Sequence, residues 1–182
     1  MGLTRAFVAL WLPEVMAEAL VAAQRGLPLG RPVPQENLHL TLAFLGDLSE
    51  NDLDAAHDAL SGVPAPAPLV GVEGIGTFGG ARPRALWAAV PREAGLVALH
   101  GAVVRRLRSA GLVPEGRKFV PHITLARFRH GTVENANLQR FIADRAGLRV
   151  APEAIPSFAL VASTLGPGGA VYEDLALYPL TA

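Results

Sequence analysis

Two segments of the chain carry the same pattern, His39-Leu40-Thr41-Leu42 and His122-Ile123-Thr124-Leu125. They lie in runs of strand length, "NLHLTLAFLG" and "VPHITLARF". In a strand, residues i and i+2 share a face and sit roughly 6.6 Å apart. His39 and Thr41 therefore point one way, with Leu40 and Leu42 opposite, and His122 and Thr124 oppose Ile123 and Leu125 in the same manner. Two imidazoles, with ordinary pKa values near 6.5, suit paired acid and base work at neutral pH. One, neutral, takes a proton from an attacking oxygen; the other, protonated, gives one to a leaving oxygen. Two threonine hydroxyls can donate to an oxyanion held between them. Acid, base and oxyanion donors with no nucleophilic side chain suit in-line displacement at phosphorus. The likeness of the two motifs leaves open which histidine plays which part. A bell-shaped pH profile in the neutral range is expected of such a pair.

A zinc site is the main chemical rival, because histidines also bind metal. Zinc usually needs a third protein ligand. His57 and His100 fall in helical patterns and read as surface or groove residues, and His130 ends a charged run and reads as solvated. The chain has no cysteine, so disulfides, thiolate chemistry and cysteine metal sites are excluded. HExxH, a phosphate-binding P-loop, GxGxxG and GxSxG are all absent. No metal and no cofactor is expected.

The elements that must carry these motifs repeat along the chain. "RAFVALWLP" (Arg5–Pro13) resembles "RALWAAVP" (Arg84–Pro91), both apolar runs of strand length closed by proline. A helix-forming stretch follows each: "EVMAEALVAAQ", then "EAGLVALHGAVVRRLRSAG", with Leu96, Leu99, Val103 and Leu107 at helical spacing and Gly111 as a stop. Next in each half come a loop, the His-x-Thr-Leu strand, and a further helix, "SENDLDAAHDALSG" or "ENANLQRFIADRAG". Extended segments close each half, the second as a hairpin turning at Gly166–Gly169. Both halves thus read strand–helix–strand–helix–strand, as a duplicated unit would. Two lobes related by a pseudo-two-fold axis would bring the two His-Thr faces to one cleft. "GVPAPAPLV" (Gly62–Val70) reads as a stiff internal loop and not as a linker.

The composition fits a folded protein with a sizeable core. Half of the 182 residues (51%) are hydrophobic and 18% are charged, which excludes a disordered chain. No apolar run reaches the roughly 18 residues of a membrane helix. The run Ala6–Leu12 reads as a buried strand and not as a signal peptide, and the expected compartment is the cytoplasm. Net charge is zero but uneven: five Arg and nine acids in residues 1–91 give −4, and eleven basic residues and seven acids in 92–182 give +4. The basic stretch Arg105–Arg129 ends on the second motif and suits an anionic ligand, although Arg105, Arg106 and Arg108 read as a solvated helix face.

With these residues in view, the chain resembles the two-histidine phosphoesterases. "RAFVALWLP", "ENLHLTLAFLGDL", "KFVPHITLARF" and "STLGPGGAVYEDLALYPL" resemble, in order, the bacterial and archaeal RNA 2′,3′-cyclic phosphodiesterases, historically called 2′-5′ RNA ligases. The resemblance implies an α+β, bilobal, duplicated fold with pseudo-two-fold symmetry, its antiparallel sheets lining a central cleft with helices outside. It implies a single two-lobed phosphoesterase domain over residues 1–182, acting as a monomer away from membranes. It implies metal-independent hydrolysis of RNA 2′,3′-cyclic phosphate ends to 2′-phosphate ends, with reverse 2′-5′ ligation. The partners implied are RNA with a 2′,3′-cyclic phosphate or a 2′-5′ linkage, and cyclic nucleotides. By this analogy His39 is the proton donor, His122 the proton acceptor, and Thr41, Thr124 and Arg127 bind substrate. Simple alternation puts Arg127 on the face opposite His122 unless a bulge re-aims it. It also puts Phe44 on the core face; Phe44 and Phe119 are the aromatic residues near the motifs that could stack a base. The alternative function is a non-catalytic RNA-end or nucleotide-binding module of the same fold.

Overall fold

The computed structural model describes residues 2–181. Strand β1 (Thr4–Trp11) leads into helix α1 (Glu14–Gln24), a short strand β2 (Arg31–Pro32), a 3-10 turn (Gln35–Asn37) and β3 (His39–Leu48). Helix α2 (Glu50–Ser61), β4 (Leu69–Glu73) and β5 (Ile75–Phe78) follow. Then come β6 (Ala85–Ala89), α3 (Ala94–Ser109), β7 (His122–Arg127), α4 (Ala136–Asp144), β8 (Arg149–Ala154), β9 (Ser157–Gly166) and β10 (Gly169–Pro179). The class is α+β, as expected. Capping fixes two helix starts. Ser49 and Asp52 form a reciprocal capping box at α2, and the Asn135 side chain accepts from Leu138 N–H at α4.

The main sheet is antiparallel and runs β10-β9-β1-β3-β7-β6-β5, with β2 on β7; β4 and β8 pair separately. The two motif strands are therefore central neighbours, flanked by β1 and β6 and then by β9 and β5. They meet at one residue pair, Leu40 opposite Ile123, and then part. Each freed edge is covered from the other half of the chain. Val33 N–H bonds to Leu125 C=O, and Glu115 N–H bonds to Phe44 C=O.

The helices cross over in the same way. Helix α1, from the first half, packs on β7, and α3, from the second, packs on β3. Met16 and Leu20 of α1 and Leu96, Leu99, Val103 and Leu107 of α3 share one buried cluster with Leu40, Leu42, Ile123 and Leu125. A one-residue slip of either motif strand would turn these leucines to solvent, so burial locks the register and with it the histidine face. The other face of the sheet has a smaller cluster, Phe7, Ala9, Ala159 and Val161, with Trp11 and Tyr172 against it.

Two details depart from the sequence expectation. "PLVGVEGIGTFGG" makes two strands, broken at Gly74 (φ 90°), and the second of them, β5, pairs with β6 of the following half. In return β9 pairs with β1, and β8 is a strand not foreseen before the hairpin. The sequence repeats thus exchange their last strands across the sheet. The hairpin does turn at Gly166–Gly169.

Candidate active site

The single Leu40–Ile123 pair sets the geometry of the site. In that antiparallel register His39 lies on the Thr124 side and His122 on the Thr41 side, so the four side chains mark a quadrilateral about the pair. All four are half-buried, while Leu40, Ile123, Leu42 and Leu125 beneath them are buried. The histidines are pinned identically. His39 Nδ1 lies 2.7 Å from Asn37 C=O, and His122 Nδ1 lies 2.7 Å from Val120 C=O. A carbonyl only accepts, so Nδ1 carries the proton in both rings and Nε2 is the nitrogen left to exchange protons.

Both motif strands bulge at the same place. Against β1, the partners of β3 skip Leu42, and against β6 the partners of β7 skip Leu125. Leu42 and Ala43 are buried in succession, as are Leu125 and Ala126. The extra residue reverses the alternation, so Phe44 and Arg127, five positions beyond their histidines, swing to the histidine face. Phe44 is 37% exposed and its ring lies 5.7 Å from Phe7, which itself packs 5.0 Å from His39. This corrects the placement of Phe44 in the core and removes the objection to Arg127. Phe119, in contrast, stacks on His100 at 3.8 Å and packs against the main core.

A side chain from the crossing helix holds each bulge. His100 Nδ1 of α3 donates to Leu42 C=O (2.8 Å). Gln24 Nε2 of α1 donates to Leu125 C=O (2.8 Å) and Val33 C=O (2.9 Å). Gln24 thus gives Leu125 C=O a second donor beside Val33 N–H, and His100 supplies one to Leu42 C=O. The sequence reading missed Gln24 and set His100 aside. Their signal is positional: each lies four residues after a core leucine, Leu20 or Leu96, on the inward helix face. Gln24→Met is expected to lower kcat/KM because Arg127 loses its aim. In a double-mutant cycle the effect should shrink strongly where Arg127 is already Gln. Equal losses in both backgrounds would make Gln24 a plain stability residue.

Aromatic rings wall each histidine. His39 touches Phe7, Trp11 (5.5 Å) and Tyr172 (5.3 Å); His122 touches Phe78 (4.9 Å) and Trp87 (6.4 Å). Trp87 can lie flat across β5 only because Gly76 has no side chain: a Cβ there would come within 2.8 Å of its ring. These walls take both rings out of water. Burial is the main cause that brings His39 from 6.5 down to about 4; the charges of Arg127 and His122 push the same way. Burial, then Arg127, also holds His122 below the usual value. The two rings and Arg127 thus feel one another.

Of the remaining histidines, His57 bonds Tyr178 Oη at 3.0 Å and His130 lies in an exposed turn. Among the described residues no three His, Cys, Asp or Glu side chains gather as a metal cage, and no helix is long and apolar enough to cross a membrane. Arg105, Arg106 and Arg108 are exposed on α3, as expected. Beside His39 opens a cleft of about 1150 Å³, bordered by Phe7, Phe44, Asn37, Arg127 and Tyr172 among others.

The chain is similar to known proteins over most of its length. Residues 12–155 match the family model described as the 2′-5′ RNA ligase superfamily. The RNA 2′,3′-cyclic phosphodiesterase of Thermus thermophilus is 34% identical over 188 residues, covering 97% of this chain and 90% of its own. The protein of that name from Aeropyrum pernix is 32% identical over 84% of this chain and 87% of its own. The crystal structure of E. coli LigT complexed with 3′-AMP superposes with a TM-score of 0.79 at 26% identity, covering 99% of both chains. The doubled motif, the sheet that joins its two copies and these matches together place the chain in the 2′-5′ RNA ligase superfamily.

Proposed function

We propose that this protein hydrolyses RNA 2′,3′-cyclic phosphate ends to 2′-phosphate ends. The observation that carries this is the pair of imidazoles, both pinned through Nδ1 with Nε2 left for chemistry, on one sheet face beside Arg127. In this reading His122 Nε2 takes a proton from water as its oxygen attacks phosphorus. The P–O3′ bond breaks, and His39 Nε2–H protonates the departing O3′, leaving the phosphate on O2′. Thr41, Thr124 and Arg127 hold the non-bridging oxygens, where charge is greatest as the bonds exchange. His39 then regains a proton from solvent and His122 releases one. A 5′-hydroxyl in place of water would form a 2′-5′ phosphodiester by the same steps, which is the reverse ligation. Phe44, exposed on this face, is placed to stack the terminal base. The whole chain, residues 1–182, acts in this proposal as one monomeric domain in the cytoplasm, without a metal.

The deciding experiment is incubation with a 2′,3′-cyclic-phosphate RNA in excess EDTA, with the position of the product's phosphate determined. A 2′-phosphate product at an unchanged rate is expected. A 3′-phosphate product overturns the bond assignment. Activity restored only by zinc or manganese returns the site to metal chemistry. Binding without turnover would leave the non-catalytic RNA-end module.

The lowered histidines make a pH prediction. Above its folded-state pKa each ring is neutral in the free protein, and both values lie below 6.5. The mechanism needs one ring protonated, so kcat/KM should fall on the alkaline side at a pH below that of two ordinary histidines. Bound phosphodiester brings a negative charge that raises both pKa values, so the alkaline limb of kcat should lie higher than that of kcat/KM. Arg127→Gln removes a cation that depresses both rings. It should lower activity and move the kcat/KM limb to higher pH. A limb that stays put or moves to lower pH contradicts the coupling of Arg127 to the histidines.

A further inference from the structure

The cleft beside His39 holds far more positive charge than one phosphodiester needs. Arg5 from β1, Arg31 from β2, Arg127 at the end of β7 and Arg129 just beyond it all line it, and no Asp or Glu does. Among the described residues these four guanidiniums make no ion pair; the pair found is Arg117 with Glu115. Nor do their side chains hydrogen-bond within the described protein. Arg145 shows what a structural arginine does here: its guanidinium bonds the carbonyls of Ala23, Arg25 and Phe141. The four are exposed and in part screened by water and salt, yet together they give the concavity a positive potential that draws an anionic occupant.

The position of the cleft narrows the occupant. It shares Phe7 and Tyr172 with the wall of His39 and is lined by Arg127, so it adjoins the motif side chains, although none of the four motif residues lines it. Its volume, about 1150 Å³, exceeds the roughly 300–1,000 Å³ of an ordinary small-molecule pocket. Phe44, Leu165 and Val33 line the same cleft, giving apolar surface for bases alongside charge for phosphates. Gly30 keeps this wall close: a Cβ there would meet the Phe128 ring at 2.6 Å. A cyclic phosphate ends an RNA at its 3′ side, so every further nucleotide lies 5′ of it. We propose that Arg5, Arg31 and Arg129 bind the backbone phosphates of the nucleotides preceding the cyclic end, so that the protein favours an oligonucleotide over a free cyclic nucleotide. This rests on the proposed phosphodiesterase reading and adds the substrate's length and the residues that sense it. The contacts fall on phosphates, so the preference is for length and not for sequence.

The test uses the full chain and the Arg5→Gln/Arg31→Gln/Arg129→Gln variant. Each is assayed on 2′,3′-cyclic AMP and on a pentanucleotide ending in the same cyclic nucleotide. Wild type should hydrolyse the pentanucleotide with kcat/KM at least about 10-fold higher, mainly through KM, with a steeper fall as salt rises. The variant should treat the mononucleotide within about two-fold of wild type and lose the pentanucleotide advantage. Its salt slope should flatten by about two, since each phosphate contact to a single strand contributes roughly 0.7. Equal wild-type rates on both substrates overturn the proposal, as does an equal loss on both in the variant. If the triple variant melts early, the single changes Arg31→Gln and Arg129→Gln are measured, and each must show part of the same selective loss. If neither substrate is hydrolysed, the phosphodiesterase reading fails by itself. Fluorescence anisotropy with a 2′-phosphate-ended pentanucleotide then decides the arginine strip: salt-sensitive binding lost in the variant upholds it, and unchanged or absent binding overturns it.

Discussion

His39→Ala and His122→Ala are each expected to lower kcat by about 10²–10⁴-fold, the usual contribution of one positioned acid or base. Each ring alone offers Nε2 at its corner of the site, since each Nδ1 is committed to a main-chain carbonyl. The fold should survive, because the strands are held by Leu40, Leu42, Ile123 and Leu125 on the opposite, buried face. The two variants should differ in stability. His39 packs among Phe7, Trp11 and Tyr172, so its loss opens a gap in an aromatic cluster, whereas His122 has two aromatic neighbours. Circular dichroism, thermal melts and kcat measured together separate the effects. A well-folded single variant that keeps more than about a tenth of wild-type kcat would remove that histidine from the chemistry.

Thr41→Val and Thr124→Val should each cost on the order of 10²-fold in kcat/KM, about 3 kcal/mol of lost transition-state stabilisation. Valine keeps the shape and the strand preference and removes only the hydroxyl. Within the described protein, the threonine hydroxyls that bond main-chain groups are those of Thr132 and Thr181. Those of Thr41 and Thr124 are uncommitted, half-buried and set beside the histidines. Melting temperatures should therefore move little while rates fall. Both changes should matter, because the register about Leu40 and Ile123 sets Thr124 beside His39 and Thr41 beside His122. If both variants lose only a few-fold, these residues are strand formers and the site reduces to its histidines and Arg127.

The sequence by itself determined the family and the local elements. Two His-x-Thr-Leu runs fixed which side chains share a strand face, because alternation in a strand is a local property and the buried leucines enforce it. Helix-forming stretches marked α1 and α2 for the same reason: propensity acts within a few residues. Only the tertiary structure decided what the strands do to one another. A bulge is an extra residue relative to a partner strand, so Leu42 and Leu125 could not be recognised as bulges before β1 and β6 were known to lie beside them. Phe44 and Arg127 reach the histidine face through those bulges, and strict alternation sends them the wrong way. The donors that hold the bulges come from 58 residues away, for His100 and Leu42, and 101 away, for Gln24 and Leu125. No local pattern encodes such a pairing. The exchange of β5 and β9 between halves is likewise a choice among edges of equal local character. Charge followed the same division. Composition showed a basic second half, yet two of the cleft arginines, Arg5 and Arg31, come from the acidic first half. Sequence counts charges along the chain; a ligand meets them after the sheet has folded them onto one face.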